Sequence, residues 1–291
     1  MGNNSDIVRD LFDAISDEYF AKATEKRSPR AVVEQPSSVL HPDFMQLVES
    51  AVGQWEGRRM CVVGSGDNYA SLAFAALGAS VTALDVSERQ IDNAREVSRS
   101  AGVDIAYVCA DAMDMPEALD ESFDVVVSTN GFLPFVSDLG ALFAGVERIL
   151  VAGGSYLLFD THPFIYPFAG YVDKVAVKKP YEATGPFAKG ATYHWRVQDI
   201  VNSVVSSGLV LSALLELHAL PGTFWDDLVD DEDKLQHAHD WRYNGLAALP
   251  QWIVVKAEKR REPCASHTFF DSANPESPSG FGSICERDDN E

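Results

Sequence analysis

The stretch CVVGSGDNYA, residues 61–70, sets two glycines between an apolar run and an Ala- and Leu-rich segment. MCVVG reads as a strand, the glycines as a tight turn, and ASLAFAALG as a helix ended by Gly78. A glycine turn of this kind lets backbone approach a ligand closely, and ligands of open α/β sheets lie outside the carboxyl ends of the strands. The dinucleotide fingerprint G-x-G-x-x-G/A is met at Gly64 and Gly66, but its third place holds Tyr69. A bulky ring where helix and strand must pack closely argues against a pyrophosphate-binding turn. The flanking residues must therefore decide which ligand the turn serves.

The surrounding pattern alternates short apolar strands with amphipathic helices. VTALDV is a strand, and SERQIDNAREVSRSAG a helix with Ser87 as N-cap and Gly102 as terminator. DIAYVCAD and FDVVVST are strands, LGALFAGVERIL a helix, and SYLLFDTH a strand. RVQDIVNSVVSSG (helix), LVLSALLELH (strand) and QWIVVKAEK (strand) close the domain. Near-continuous apolar strands separated by helices predict a parallel sheet covered on both faces. Upstream, residues 6–24 carry apolar positions at helical spacing, KRSPR and VEQPSS read as a loop, and HPDFMQLVESAV as a second helix started by His41.

Carboxylates and small residues gather at one edge of this sheet. Asp85 ends the second strand, 19 residues after Gly66, where a carboxylate can accept both hydroxyls of a ribose. Asp111 and Ala112 follow the third strand, and small polar residues, Ser128 among them, end the fourth. These features converge on a nucleoside-shaped crevice.

The ordered set VVGSGDNYASLAFAALGASVTALDVSERQIDNARE, CADAMDMPEALDESFDVVVSTNGF and VERILVAGGSYLLFD resembles the class I S-adenosylmethionine-dependent methyltransferases of small-molecule type. The resemblance covers residues 60 to about 162, and the closing strands extend it to Lys259. It implies a Rossmann-like α/β fold: a seven-stranded, mostly parallel sheet whose last strand is antiparallel and inserted between its neighbours, with helices on both faces. It also implies S-adenosylmethionine as cofactor. Gly64, Ser65 and Gly66 would approach its methionine part, Asp85 its ribose, and Val86 would flank the adenine. Asp111, Ala112 and Met113 would read the adenine edge, Ser128 would face the crevice, and Tyr19 on an N-terminal lid helix would close over it. Two departures stand out: the family commonly has an acidic residue where Val62 stands and a third glycine where Asn68 stands. Asp67 or a lid residue would have to supply the missing contact.

Residues 1–50 read as N-terminal lid helices and 51–261 as the methyltransferase domain. Two long connections, near 163–193 and 219–250, are rich in aromatics (Phe164, Tyr166, Phe168, Tyr171; Phe224, Trp225, Trp241, Tyr243) and read as lids. Residues 262–291, poor in periodicity and rich in Ser, Pro, Gly and acids, read as a disordered tail. Among seven histidines, His162 at the carboxyl edge is the first candidate general base and His194 the second. His237 and His239 have a spacing that a metal could use, but a solvated face is the plainer reading, and no metal is expected. The acidic segment WDDLVDDEDKLQHAHD is a solubilising surface or, with the aromatics, an attractor of a cationic amine.

With 44 acidic against 23 basic residues the formal net charge is -21, which disfavours nucleic acid as substrate. No apolar run is long enough to span a membrane, and the N-terminus carries no signal-peptide pattern. Cys61, Cys109, Cys264 and Cys285 show no CxxC or zinc-like spacing; the first two fall in strands expected to be buried, and reduced thiols point to a cytoplasmic protein. The expected activity is methyl transfer to a small-molecule O- or N-acceptor, aromatic or cationic, by a monomer or homodimer. The competing classes are a nicotinamide-dependent oxidoreductase and a cofactor-binding pseudoenzyme.

Overall fold

Successive residues of the central strands point to opposite faces of the sheet, and here both faces are buried, which is why these strands carry no polar alternation. Val62 of β1 (Arg59–Val63), Val125 and Val127 of β4 (Phe123–Thr129), and Leu157 and Phe159 of β5 (Leu150–Thr161) pack on one side with Phe44, Val48 and Val52. Cys61, Val63, Val126, Tyr156 and Leu158 pack on the other. The computed structural model describes residues 4–66, 69–169, 175–229 and 232–261. Tyr171, the lid-segment residue, and the tail with Cys264, His267 and Cys285 lie outside the described residues, as do Asp67 and Asn68.

The seven-stranded sheet has the order β3-β2-β1-β4-β5-β7-β6, with β2 at Ser80–Asp85, β3 at Ala106–Cys109, β6 at Val210–Leu217 and β7 at Trp252–Glu258. The contacts β1–β2, β2–β3, β1–β4 and β4–β5 are parallel, and β7 runs antiparallel between β5 and β6. The seven-stranded sheet with one antiparallel strand is the one the sequence leads one to expect. Because chain order reverses between β1 and β4, a crevice opens at their carboxyl ends.

Two helix layers cover the sheet. On one side lies α3 (Pro42–Val52), started by His41, whose Nδ1 accepts the Asp43 N–H at 3.2 Å. On the other, α6 (Leu139–Ile149), capped by Asp138, and α7 (Val197–Ser206) bury Leu142, Phe143, Val146, Ile200 and Val204. A third cluster joins α4 (Ala70–Ala76), α5 (Glu88–Ala101) and Val32. As read from sequence, Ser87 caps α5 by accepting the Gln90 N–H at 3.1 Å, and Gly102 ends it in the left-handed region at φ 69°.

Four expectations need correction. Residues 27–39 are not a loop throughout: Ser28 and Pro29 start the short helix α2 (Pro29–Glu34), the serine accepting the Ala31 N–H at 3.3 Å, and a 3-10 turn spans Pro36–Val39. The helix over 42–52 is no lid, since Phe44, Val48 and Val52 are wholly buried under the sheet. Cys109 is exposed, because β3 is an edge strand. In the 219–250 segment Phe224 and Trp225 are core residues packed edge-on to each other at 4.8 Å, while Trp241 and Tyr243 face solvent.

Candidate active site

Val63 pairs with Leu84, so the chain leaves β1 beside the end of β2. Both Gly64 and Gly66 have positive φ, 68° and 49°, and the N–H groups of Gly64 and Ser65 donate to the Leu84 carbonyl at 2.9 and 3.0 Å. A Cβ on Gly64 would lie 2.1 Å from Cδ2 of Phe132, so any other residue here would have to displace that ring. Asp85 braces the turn: its Oδ2 accepts the Gly66 N–H at 2.7 Å and its Oδ1 the Ser87 N–H at 2.9 Å. Burial pushes this carboxyl above its ordinary range, and the backbone donors pull it back. A carboxylate offers about four lone-pair sites, so Asp85 keeps acceptor capacity toward a ligand. On the next strand end, Asp111 accepts the Met113 N–H at 2.8 Å through Oδ1 and the Ser5 hydroxyl through Oδ2.

These groups line a cleft of ≈ 880 Å³, its open mouth included. One wall is Leu84, Val86, Gln90 and Ala110 to Met113, and the other Asn130 to Phe132 with Phe135 and Val136. The roof is α1 (Asn4–Lys26), through Ser5, Val8, Phe12 and Tyr19, the last 59% exposed at the rim. Tyr19, Gly64, Ser65, Gly66, Asp85, Val86, Asp111, Ala112 and Met113 therefore share one space. Ser128 does not: it is wholly buried beside the Tyr156 hydroxyl, on the α6 side of the sheet. The α1 roof is clipped to α5 by polar contacts. Asp13 accepts the Ser87 hydroxyl, Arg89 donates to Asp17 at 2.7 Å, and Asn93 donates to Ser16 at 3.0 Å.

Neither candidate base lines the cleft. His162 is buried; its Nδ1 accepts the Phe164 N–H at 3.2 Å, which leaves the Nε2 proton for Glu216, 3.0 Å away. It caps the 3-10 turn Pro163–Ile165 and has a structural part. His194 lies between Tyr166, stacked at 4.2 Å, and Phe187, at 4.7 Å. Burial, with Lys179 and Lys178 nearby, lowers its pKa to about 4. Its folded pKa is depressed below the ~6.5 of an unfolded histidine, so stability rises with pH between about 4 and 6.5 and is lost as pH falls through about 4. Partial exposure screens the effect to about 1–2 kcal/mol. In chemical denaturation at pH 4.5 and 7, the stability of His194→Phe relative to the wild type is expected to fall as pH rises, whatever the slope of the wild type itself.

Farther out, His239 pairs with Asp226 at 2.7 Å and His237 stacks on Tyr243 at 4.4 Å; among the described residues no group of three or more His, Cys, Asp or Glu is placed to hold a metal ion. Asp226 also accepts the Gly222 N–H at 3.0 Å. The described residues of the 219–250 segment contribute nothing to the cleft lining, so the acidic and aromatic groups among them are not an acceptor wall. Asp230, in the same acidic run, lies outside the described residues.

One carboxylate with no motif to announce it organises the β4 side. Asp160, at the end of β5 and wholly buried, takes the Gly131 and Thr161 N–H groups on Oδ1 (2.9 and 2.6 Å) and those of Phe132 and Leu133 on Oδ2 (3.1 and 2.7 Å). It holds the loop that carries Phe132 against Gly64. Burial raises its pKa to about 6, against the pull of four N–H donors. The folded chain keeps this proton up to about pH 6, the unfolded chain only to ~3.9, so Asp160 makes stability fall as pH rises across that window. Asp160→Asn, which turns an NH₂ toward two buried donors, should cost about 2–4 kcal/mol at pH 7. It should also lose that pH dependence, as urea melts at pH 4.5 and 7 would report.

The protein-family profile described as "Methyltransferase domain" matches residues 61–158, from β1 to β5. A curated relative, the ubiquinone biosynthesis O-methyltransferase of Pseudomonas savastanoi pv. phaseolicola, is 26% identical over 160 residues, 54% of this chain and 65% of its own length. The crystal structure of an S-adenosylmethionine-dependent methyltransferase from Mesorhizobium loti superposes with a TM-score of 0.55 at 25% identity, covering 75% of this chain and 96% of that one. A geranyl diphosphate C-methyltransferase from Streptomyces coelicolor A3(2), solved with S-adenosyl-L-homocysteine, shares the fold at TM-score 0.52 and 15% identity, covering 76% of this chain and 79% of its own. Residues 61–158 are a methyltransferase domain, on a fold shared with S-adenosylmethionine-dependent methyltransferases. The matched segment spans less than two thirds of the Pseudomonas savastanoi protein.

The residues of the cleft fit S-adenosylmethionine chemically. Asp85 and Asp111 are acceptors suited to ribose hydroxyls and an exocyclic amine, and Leu84, Val86, Ala112, Met113 and Val136 offer apolar walls to a planar base. Val62 is wholly buried in the α3-side core, so position 62 offers no polar group to the cleft. Tyr69 is also accounted for: it is buried on the α2 layer and donates to the Arg27 carbonyl at 2.8 Å, pinning the N-terminal segment rather than shaping a pyrophosphate site.

Proposed function

We propose that this chain transfers a methyl group from S-adenosylmethionine to an oxygen of a small-molecule acceptor, with nitrogen as the second choice of atom. The observation that carries the reading is the cleft itself: a glycine turn braced by Asp85, a second carboxylate at Asp111, and an α1 roof, all at the carboxyl edge of the sheet. The preference for oxygen rests on the name of the curated relatives, ubiquinone biosynthesis O-methyltransferase.

When bound, the cofactor supplies a methyl group on a cationic sulfur, already activated for displacement. The chain's own part is placement and exclusion of water. Gly66 and Asp85 hold the turn, Asp111 marks the nucleoside end, and Phe12, Phe132 and Phe135 give the other end an apolar surface. Phe12 and Phe135 meet edge-on at 4.8 Å, closing α1 against the β4 side. His162 and His194 take no proton in this reading.

Calorimetric titration of the purified protein with S-adenosylhomocysteine and with NADH in parallel tests the proposal, followed by a screen of phenols, carboxylates and amines for S-adenosylhomocysteine production. Tight binding of the first ligand with turnover of an oxygen acceptor is the expected result. Binding of NADH alone would sink the reading, and S-adenosylhomocysteine binding with no acceptor turned over would leave a cofactor-binding protein.

A further inference from the structure

The first described turn of α1 touches two parts of the molecule that are otherwise far apart in sequence. Ser5, 8% exposed, donates its hydroxyl to Oδ2 of Asp111 at the nucleoside end of the cleft. Its neighbour Asn4 donates from Nδ2 to the Gly190 carbonyl at 2.7 Å, inside the insertion between β5 and α7. That contact falls on an unusual piece of backbone: Ala188, Lys189 and Gly190 all have positive φ, 47°, 59° and 102°. Left-handed conformations at two non-glycine residues persist only where the surroundings hold them. Asn4 supplies part of that hold and Ile7 another, its Cδ1 lying 3.5 Å from where a Gly190 Cβ would be. The same return segment is bound to the cleft's other wall, the Tyr193 N–H to the Pro134 carbonyl at 2.7 Å and the Trp195 Nε1 to the Val136 carbonyl at 2.9 Å.

We infer that Ser5 and Asn4 are positioning residues that tie occupancy of the nucleoside end of the cleft to the closed course of the 188–195 segment. The inference rests on the proposed cofactor reading. Asp111 already accepts from Met113 and Ser5 and has a lone pair left for a third donor. A ligand that fixes this carboxylate favours docking of Ser5, and Ser5 cannot dock without bringing Asn4 to Gly190. The insertion then closes on the acceptor side only once the nucleoside is in place, so the cofactor binds before the acceptor.

Hydrogen exchange of the full chain, with and without S-adenosylhomocysteine, tests this. In the wild type, peptides covering 109–116, 4–26 and 186–196 should all slow on ligand addition, the last by about tenfold, a typical coupling factor. In Asn4→Ala the first two should still slow while 186–196 no longer responds. Ser5→Ala should lose the response of 186–196, and Ser5→Thr, which keeps the hydroxyl, should restore it; a merely structural defect would not be rescued in this ligand-dependent way. An unchanged response of 186–196 in Asn4→Ala overturns the inference, as does a wild type in which 109–116 responds and 186–196 does not. Silence at 109–116 itself would remove the cofactor reading and this inference with it.

Discussion

Gly64→Ala is expected to lower stability by roughly 2–5 kcal/mol, the sum of an overpacked contact and a left-handed backbone at a residue with a Cβ. The new methyl would sit 2.1 Å from the Phe132 ring, and φ at this position is 68°. The melting temperature should fall by roughly 5–15 °C. The double substitution Gly64→Ala/Phe132→Ala separates the two causes. Removing the ring relieves the clash and leaves the backbone cost, so the pair should be more stable than the two single losses added, by at least about 1 kcal/mol. Strict additivity in differential scanning calorimetry would mean that the ring moves aside at no cost and that the glycine serves only the turn.

Asp85→Ala should weaken S-adenosylhomocysteine binding by about 100-fold or more. The substitution removes the acceptor for the Gly66 N–H and the Ser87 N–H and the proposed partner of the ribose. Hydrogen bonds to a charged group contribute about 1.5–3 kcal/mol each, and about 2.8 kcal/mol already amounts to two decades in affinity. Asp85→Asn retains one acceptor oxygen and should fall between. If titration calorimetry gave the alanine variant wild-type affinity, the ligand would not touch this edge of the cleft, and Asp85 would be a brace for the turn alone.

What could be read from the sequence was whatever depends on local chemistry. The glycines after β1, the Ser87 cap, the Gly102 terminator and the carboxylates at the ends of β2 and β3 are each announced by residue type and short spacing, and they meet where the strand pattern puts them. What depends on the partner face was hidden. Ser128 sits on a strand buried on both sides, so no alternation says which way it points, and it points away from the cleft. Cys109 is apolar in context yet exposed, because the order of strands, not their composition, makes β3 an edge. A long aromatic connection signals an insertion but not its resting place: Trp225 is core, while the 188–195 return is tied to α1 and to Pro134 and Val136. Asp160 works on a loop 27–29 residues earlier through backbone donors alone, which leave no mark in the sequence. Gln90 and the α1 residues Ser5, Val8 and Phe12 line the cleft from helices whose apolar spacing speaks only of packing.

Asp160 fastens its loop through main-chain groups, and this separates the loop's course from its side chains. Three of the four positions are nonetheless spoken for. Gly131 needs φ 83°, Phe132 lies over Gly64, and Leu133 is in the core. Asn130 is exposed at the mouth of the cleft, on the wall opposite the nucleoside end, and its side chain is not what keeps the loop in place. Position 130 can thus be exchanged without touching the main-chain bonds by which Asp160 holds the loop.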